Sequence, residues 1–504
     1  MKFPRYFRNP FRSRVSLTQR FSRALGWVHE HTGTSAGVAV TSVNGLPYPE
    51  VSGYFIPTLL QWGERELALK YGRWLVSMQN PDGSWSDPAG TASYTFDTGQ
   101  ILKGLLALVE IEPEFKGSIL RGCDWILGQV QPDGRVTTPD TQFWLLPGGK
   151  MVPEAIHLYA LEPLRAAASK WGRAEYEPAV ARALAYYLAD PALTRFDTLS
   201  HFHAYIVEAL LDLGQEERAA AAMKEIALLQ ARSGAVPGYQ GGRWICSTGL
   251  LQYAKIWYRL GQRQRAERAF SAACRLQNRS GGFFGSYGMG GNYFPREEIS
   301  WAVKYFLDAF WWKIHTGFED EVASFPESIA ADDGRYRFVA EAVSRRSAAT
   351  ILEAGCGKGR FLRGLQRDFP KAQFTGLDLS PRMLSGLPER VTPLCGSLLH
   401  MPIGAERFDL VFCVEALEHA VNLSGALSEL CRAVAPGGTL VIIDKNVQLL
   451  GRLEISEWEQ WFEAETVAEL LQREGLAVTI ERNIPYDGRD GSDGLFLGWV
   501  ATKI

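Results

Sequence analysis

TILEAGCGKGR (350–360) decides how the last third of this 504-residue chain folds. An apolar, strand-like start gives way to alternating glycines. These let the backbone turn tightly and let a ligand approach it, before a helix whose first N–H groups are free. A dinucleotide fingerprint requires GxGxxG, and here the third glycine, Gly359, falls one place early. The run has instead the form E-x-G-x-G-x-G. Asp378 closes the next strand, in GLDLS, 19 residues beyond Gly359. A carboxylate there is placed to accept both hydroxyls of a ribose.

Working outward, strand-like runs (TILEAG, QFTGLDL, VTPLCG, DLVFCV, GTLVIID, AVTIER, LFLGWVAT) alternate with helical stretches, and a helix is predicted over about 334–346. The pattern predicts a doubly wound parallel sheet closed by an antiparallel edge hairpin. FDLVFCVEALEHAVN (408–422) and LCRAVAPGGTLVIID (430–444) add two motifs in order. With the glycine run and GLDLS, residues 334–504 resemble the class I S-adenosylmethionine-dependent methyltransferases. The resemblance implies an α/β Rossmann-like seven-stranded sheet with S-adenosylmethionine as cofactor. Glu353, Gly355 and Gly357 would surround its methionine moiety, with Gly359 completing the turn. Asp378 would hold the ribose, and Leu379 and Met383 would flank the adenine. Ser397, with Leu398 beside it, stands where the family commonly has an Asp, so the usual carboxylate contact to the adenine amino group is missing. Glu415 would face the cofactor or substrate. His419, after the fourth strand, is the candidate general base for a hydroxyl nucleophile. Glu418 reads as a solvent-facing or structural acid. Lys445 reads as a surface residue or, alternatively, as the partner of a substrate carboxylate.

The first 315 residues read differently. KYGRWLVSMQNPDGSW (70–85) recurs as RGCDWILGQVQPDGRV (121–136), with weaker echoes KEIALLQARSGAV (224–236) and RAFSAACRLQNRSGGF (268–283). The interval is about 50 residues, and a degenerate copy is expected near Arg182–Leu188. Each copy is an amphipathic helix followed by a Gly turn. Between copies lie six other helix-like stretches starting near Tyr54, Thr98, Pro153, His201, Ser247 and Ile299. Ser16–His31 supplies the sixth partner, giving six helical hairpins that predict an all-α (α/α)6 toroid. KYGRWLVSMQNPDGSW resembles the QW motif of squalene-hopene cyclases and prenyltransferase-like toroids, over roughly 50–310. The DxDD acid and the Asp-Cys-His zinc set of those enzymes are absent, so only the scaffold is implied. Other stretches, such as FDTGQILKGLLAL, resemble toroids of polysaccharide biosynthesis, including uronyl C5-epimerases.

Inner-helix starts in such a ring line one mouth. The candidate saccharide-binding residues there are Glu50, Tyr54, Asp97, Glu154, His157, His201, His203, Trp244, Glu298 and Trp301, with Gln100, Gln252, Tyr205 and Tyr293 nearby. Aromatic faces and carboxylates suit sugar rings, and a carboxylate beside Tyr or His suits acid–base work. The competing reading makes Asp97-Thr98 and Asp197-Thr198 N-caps. His201 and His203, two apart, do not make a metal pair, and no metal site is expected.

Composition bounds the rest. The chain is 46% hydrophobic with net charge −3. Residues 1–25 carry seven of the bases, leaving 46 basic against 56 acidic residues in a body that does not suit nucleic acid. Seven cysteines without a CxxC pair argue against a disulfide framework and for a cytoplasmic setting. The expected organisation is a basic arm (1–25), with Phe3, Tyr6, Phe7 and Phe11 interleaved for contact with an anionic membrane face or a protein; a toroid (26–315); a linker (316–333); and a methyltransferase domain (334–504). The expected activity is methyl transfer to a glycan or other polar small molecule. The alternatives are a toroid that is itself the main catalyst, epimerase- or lyase-like, and a docking protein with a degenerate methyltransferase domain.

Overall fold

The computed structural model describes residues 15–34, 36–139, 151–486 and 493–503. Residues 1–14, with Phe3, Tyr6, Phe7 and Phe11 of the expected membrane or partner contact, lie outside the described residues. The chain divides into two compact units, one mainly of residues 19–59 and 65–316, the other mainly of 317–504.

The N-terminal unit consists of helices of two kinds. α1 (Leu17–Thr32), α3 (Arg65–Ser77), α5 (Lys116–Gln129), α7 (Tyr176–Leu188), α9 (Glu216–Leu229) and α11 (Arg263–Cys274) each bury one stripe. Those between them are α2 (Pro49–Gln61), α4 (Thr95–Leu108), α6 (Leu161–Trp171, entered through a 3-10 turn, Glu154–Ala160), α8 (Ser200–Asp212), α10 (Ser247–Arg259) and α12 (Ser300–Glu321). Of these, α4 buries 11 of 14 residues and α10 buries 12 of 13. Burial on every side makes this an inner set, as expected for helices apolar all round.

Small residues let the inner helices approach closely. A Cβ on Gly53 of α2 would lie 2.6 Å from Ile101 Cα in α4, and one on Gly249 of α10 would lie 2.2 Å from Ser200 Oγ in α8. Thr58 in α2 donates to Asp308 in α12 (2.6 Å), and Lys255 of α10 reaches the same carboxylate (2.8 Å).

The repeated turns explain the sequence repeat. Gly83, Gly134, Gly234 and Gly281 all have φ between +90° and +102°. A Cβ on each would lie 1.9–2.4 Å from a carbonyl oxygen of the next outer helix, those of Arg121, Arg182, Arg268 and Arg23. The motif glutamine closes the joint. Gln79 Nε2 donates to Ser118 O (2.9 Å), Gln230 to Arg265 O (3.0 Å) and Gln277 to Arg20 O (3.0 Å). α1 therefore receives the turn after α11 just as α5 receives the turn after α3.

The C-terminal unit is a seven-stranded sheet of β1 (Thr350–Ala354), β2 (Gln373–Asp378), β3 (Val391–Cys395), β4 (Phe408–Val414), β5 (Val434–Lys445), β6 (Leu476–Ile484) and β7 (Phe496–Lys503), in the order 3-2-1-4-5-7-6. The first five are parallel, while β7 runs antiparallel to both β5 and β6. β1 and β4 are buried almost throughout, as a sheet covered on both faces requires, whereas edge strand β6 is largely exposed. α13 (Gly334–Arg346) and α14 (Arg360–Asp368) cover it through Tyr336, Val339, Val343, Phe361, Leu362 and Leu365.

Three expectations shift. α1 begins at Leu17, so residues 17–25 are helix rather than arm. α12 continues to Glu321, so the first residues of the expected linker (316–333) are helical. Asp97 and Asp197 are not caps: Tyr94 caps α4 and Leu199 caps α8.

Candidate active site

Strand order reverses between β1 and β4, and ligands bind such sheets beyond the carboxyl ends at that point. There the chain turns through Gly355 (φ +79°), Gly357 (+51°) and Gly359 (+74°). A Cβ at 355 would strike Ala416 at 2.3 Å, while one at 357 would meet nothing within 4 Å. The turn is therefore tight against the exit of β4 and open beside Gly357. Gly357 and Ser380 donate their N–H groups to Asp378 (2.8 and 2.9 Å), fixing its carboxylate beside the turn. Burial raises the Asp378 carboxyl despite these donors. Glu353 is buried, and its Oε2 has no hydrogen-bond partner. Burial pushes its carboxyl well up, against the pull of Arg360. Such an orphaned oxygen is costly and fits a bound group that brings N–H or positive charge. Met383 is buried in the short helix α15 (Pro381–Leu384), and Leu379 and Leu398 are half-buried. Ser397 Oγ accepts from Leu399 N–H (3.1 Å), so its hydroxyl is engaged locally.

Beyond β4, Glu415 sits at φ +52° and accepts from Arg335 and from Arg360 (2.6 Å). Burial pushes its carboxyl up, but the two guanidiniums hold it below the usual range. Next comes a 3-10 turn, Leu417–His419. Glu418 is 3% exposed, not solvent-facing, and Lys445 is buried rather than on the surface. The Lys445 ammonium bridges Glu418 (2.7 Å) and Glu459 (3.0 Å), while Asp444 accepts from Glu418 N–H (3.0 Å). Burial and the Asp444 charge push the Glu418 carboxyl up to about 10, and burial lifts Asp444 to about 7, so this buried cluster is held by hydrogen bonding as well as by the Lys445 charge. His419 lies with Nε2 3.4 Å from Glu418 and its ring 5.1 Å from Phe318. Burial drives the imidazole down to about 4, so it is neutral at pH 7. Ligating atoms of Glu418, His419 and Glu459 lie within 4.8 Å of one another, with the Lys445 ammonium already between the two carboxylates.

Residues 352–442, which carry the glycine turn, Asp378 and Glu415, match the methyltransferase domain family. The C-terminal unit is a class I S-adenosylmethionine-dependent methyltransferase domain. Over 130 residues the chain is 30% identical to malonyl-[acyl-carrier protein] O-methyltransferase of Dechloromonas aromatica, covering 26% of this chain and 49% of that one. It is 32% identical over 152 residues to phthiotriol/phenolphthiotriol dimycocerosates methyltransferase of Mycobacterium leprae, covering 29% and 54%. The chain thus spans about half the length of these relatives. Among solved structures, an S-adenosylmethionine-dependent methyltransferase of Mesorhizobium loti aligns at TM-score 0.27 and 22% identity, covering 31% of this chain and 90% of that one.

In the methyltransferase domain, Arg335, Arg360, Asp444 and Glu459 escaped the sequence reading. Arg360 could have been noticed, since it follows Gly359 directly. Arg335 and Glu459 reach the site from distant segments and carry no motif.

The residues expected at the mouth of the helical unit separate into two groups. Glu50 Oε2 accepts from Trp301 Nε1 (3.3 Å), Asp97 accepts from the Tyr48 hydroxyl (2.8 Å), and His201 Nδ1 meets Gln252 Oε1 (2.8 Å). The His201 ring lies 4.6 Å from Tyr205, 6.0 Å from Tyr293 and 6.3 Å from Trp301. Tyr54 packs 6.1 Å from Tyr305 on the same inner helices. The others have structural partners. Glu298 accepts from Trp27, Asn278 and Ser280, clasping α1 to the last repeat turn. Glu154 is paired with Arg135. His203 bonds Tyr253 and Thr194 O. His157 is buried beside Val136, and Trp244 lies in a short strand against Gly238 rather than at a helix start.

Proposed function

We propose that this chain transfers the methyl group of S-adenosylmethionine to a polar acceptor of saccharide type, and that its helical unit is a closed (α/α)6 toroid that receives the glycan. The observation that carries methyl transfer is the glycine turn with Glu353 and Asp378, inside the matched segment. When bound, the cofactor supplies an electrophilic methyl on a sulfonium. Asp378 would orient the ribose, and Glu353 Oε2 would take the cofactor's cationic end. Neutral His419 would accept the proton of a hydroxyl nucleophile, and Glu415, locked by two arginines, would fix the wall of the site. The acceptors named for the relatives are a malonyl-carrier protein and a lipid, which differ from each other. The saccharide reading rests instead on the aromatic, carboxyl and amide side chains of the inner helices. Closure is supported by the Gly281–Arg23 and Gln277–Arg20 contacts and by the Thr58–Asp308 bond.

The test is transfer of tritium from labelled cofactor to lipid-linked or nucleotide-linked sugars. Asp378→Ala is expected to weaken cofactor binding at least about tenfold, losing about 1.4 kcal/mol. Undiminished binding and transfer in that variant would remove the site assignment.

A further inference from the structure

Among the buried polar atoms of the helical unit that have no hydrogen-bond partner are five of mixed chemistry: Glu50 Oε1, Gln100 Oε1 and Nε2, Gln252 Nε2 and Thr248 Oγ1. Glu50 is 3% exposed, and Gln100, Gln252 and Thr248 are 0%. Buried polar groups are almost always paired, so several orphans on the inner helices α2, α4 and α10 call for an explanation. They are also connected. Gln100 stands one turn beyond Asp97 on α4, and the charges of Asp97 and Glu50 act on each other. Glu50 bonds Trp301, whose ring lies 6.3 Å from His201, and His201 bonds Gln252. Thr248 lies one turn before Gln252 on α10.

The chemistry of the set is mixed. Carboxyl and amide oxygens accept; amide nitrogen and hydroxyl donate. Burial and the Asp97 charge push Glu50 up, and burial lifts Asp97 to about 7, so near neutrality the pair offers a carboxyl O–H as well as acceptors. His201 is held neutral. Tyr205, Tyr293 and Trp301 add aromatic faces. Tyr48, Phe202, Phe294 and Trp301 are only half-buried and mark where solvent reaches the cluster. Phe294 takes φ +44°, strained for a non-glycine residue, while stacking edge-on to Tyr293 (4.9 Å).

We propose that Glu50, Asp97, Gln100, His201 and Gln252 form a binding site for one sugar residue, whose hydroxyls satisfy the orphaned atoms while its CH face lies against Trp301 and Tyr205. This site is separate from the methyltransferase turn and belongs wholly to the helical unit. It gives the saccharide reading above a set of residues and rests on that reading for its ligand class. A purely cationic ligand would leave Gln100 Nε2 and Gln252 Nε2 unpaired, and a purely apolar one would satisfy none of the five atoms.

The full-length protein is applied to an array of neutral, amino and uronate oligosaccharides, with S-adenosylhomocysteine binding measured in parallel by calorimetry. Retention of at least one oligosaccharide is expected, weakened at least about tenfold by Glu50→Gln and by Asp97→Asn, with S-adenosylhomocysteine affinity unchanged. A second arm needs no ligand. Gln100→Leu removes two unpaired buried atoms and should leave the melting temperature equal or higher, while abolishing glycan retention. No oligosaccharide retained, retention indifferent to these variants, or a melting temperature lowered by more than about 3 °C in Gln100→Leu would overturn the site. Failure of S-adenosylhomocysteine to bind would overturn the methyl-transfer reading alone, so the two proposals fall separately.

Discussion

Asp97 illustrates how far a single carboxyl departs from what its neighbours in the chain suggest. Beside Thr98 it reads as a helix cap, yet α4 begins at Thr95 and Asp97 faces inward, accepting from Tyr48. Burial lifts its carboxyl from 3.8 to about 7. A folded value above the unfolded one favours the protonated native state at low pH, and that contribution is lost as pH rises from about 4 to 7. Asparagine has no proton to lose. The melting temperature of Asp97→Asn relative to the native protein should therefore improve between about pH 4 and pH 7 and level off above that, read by thermal scans. A pH-independent difference would show that the carboxyl is not titrating in this window. The turn that brings Glu353, the three glycines and Asp378 together was more legible, because spacing along two adjacent strands fixes it. The residues that hold Glu415 and Lys445 were not. Arg335 lies 80 positions from Glu415, and Glu459 lies 14 from Lys445 across irregular chain, so only the folded backbone brings them together.

The repeat elements were read correctly as two helix classes, since all-round apolar stretches and one-sided stripes leave different periodicities. What spacing could not convey was the joint between neighbours. The repeat glycine serves its own turn and also makes room for the carbonyl of the next outer helix, and the repeat glutamine bonds across that gap. Gly281→Ala should thus destabilise the fold by about 2 kcal/mol or more, combining φ +102° with an impossible approach to Arg23 O. Gly128→Ala is the control. It sits exposed in α5, where a Cβ meets nothing within 4 Å, and should stabilise by about 0.5–1 kcal/mol. Chemical denaturation of the two variants separates these outcomes, and equal effects would mean that the turn tolerates a side chain.

Two compact units with separate cores predict two calorimetric transitions. S-adenosylhomocysteine should raise only one of them, by about 2.7 kcal/mol at a hundred times its dissociation constant. A single transition moving as a whole would mean that the units unfold together. The linkage of Arg20 with Gln277 and of Arg23 with Gly281 has a further result during synthesis. α1 leaves the ribosome early and must wait for a surface some 257 residues downstream, which takes roughly 13–50 s at ~5–20 residues per second. For that interval Phe21 lacks its ring contact with Phe310, and Trp27 lacks its bond to Glu298. Until the last repeat emerges, the nascent chain exposes apolar surface of α1 of the kind that favours misassembly and that chaperones cover.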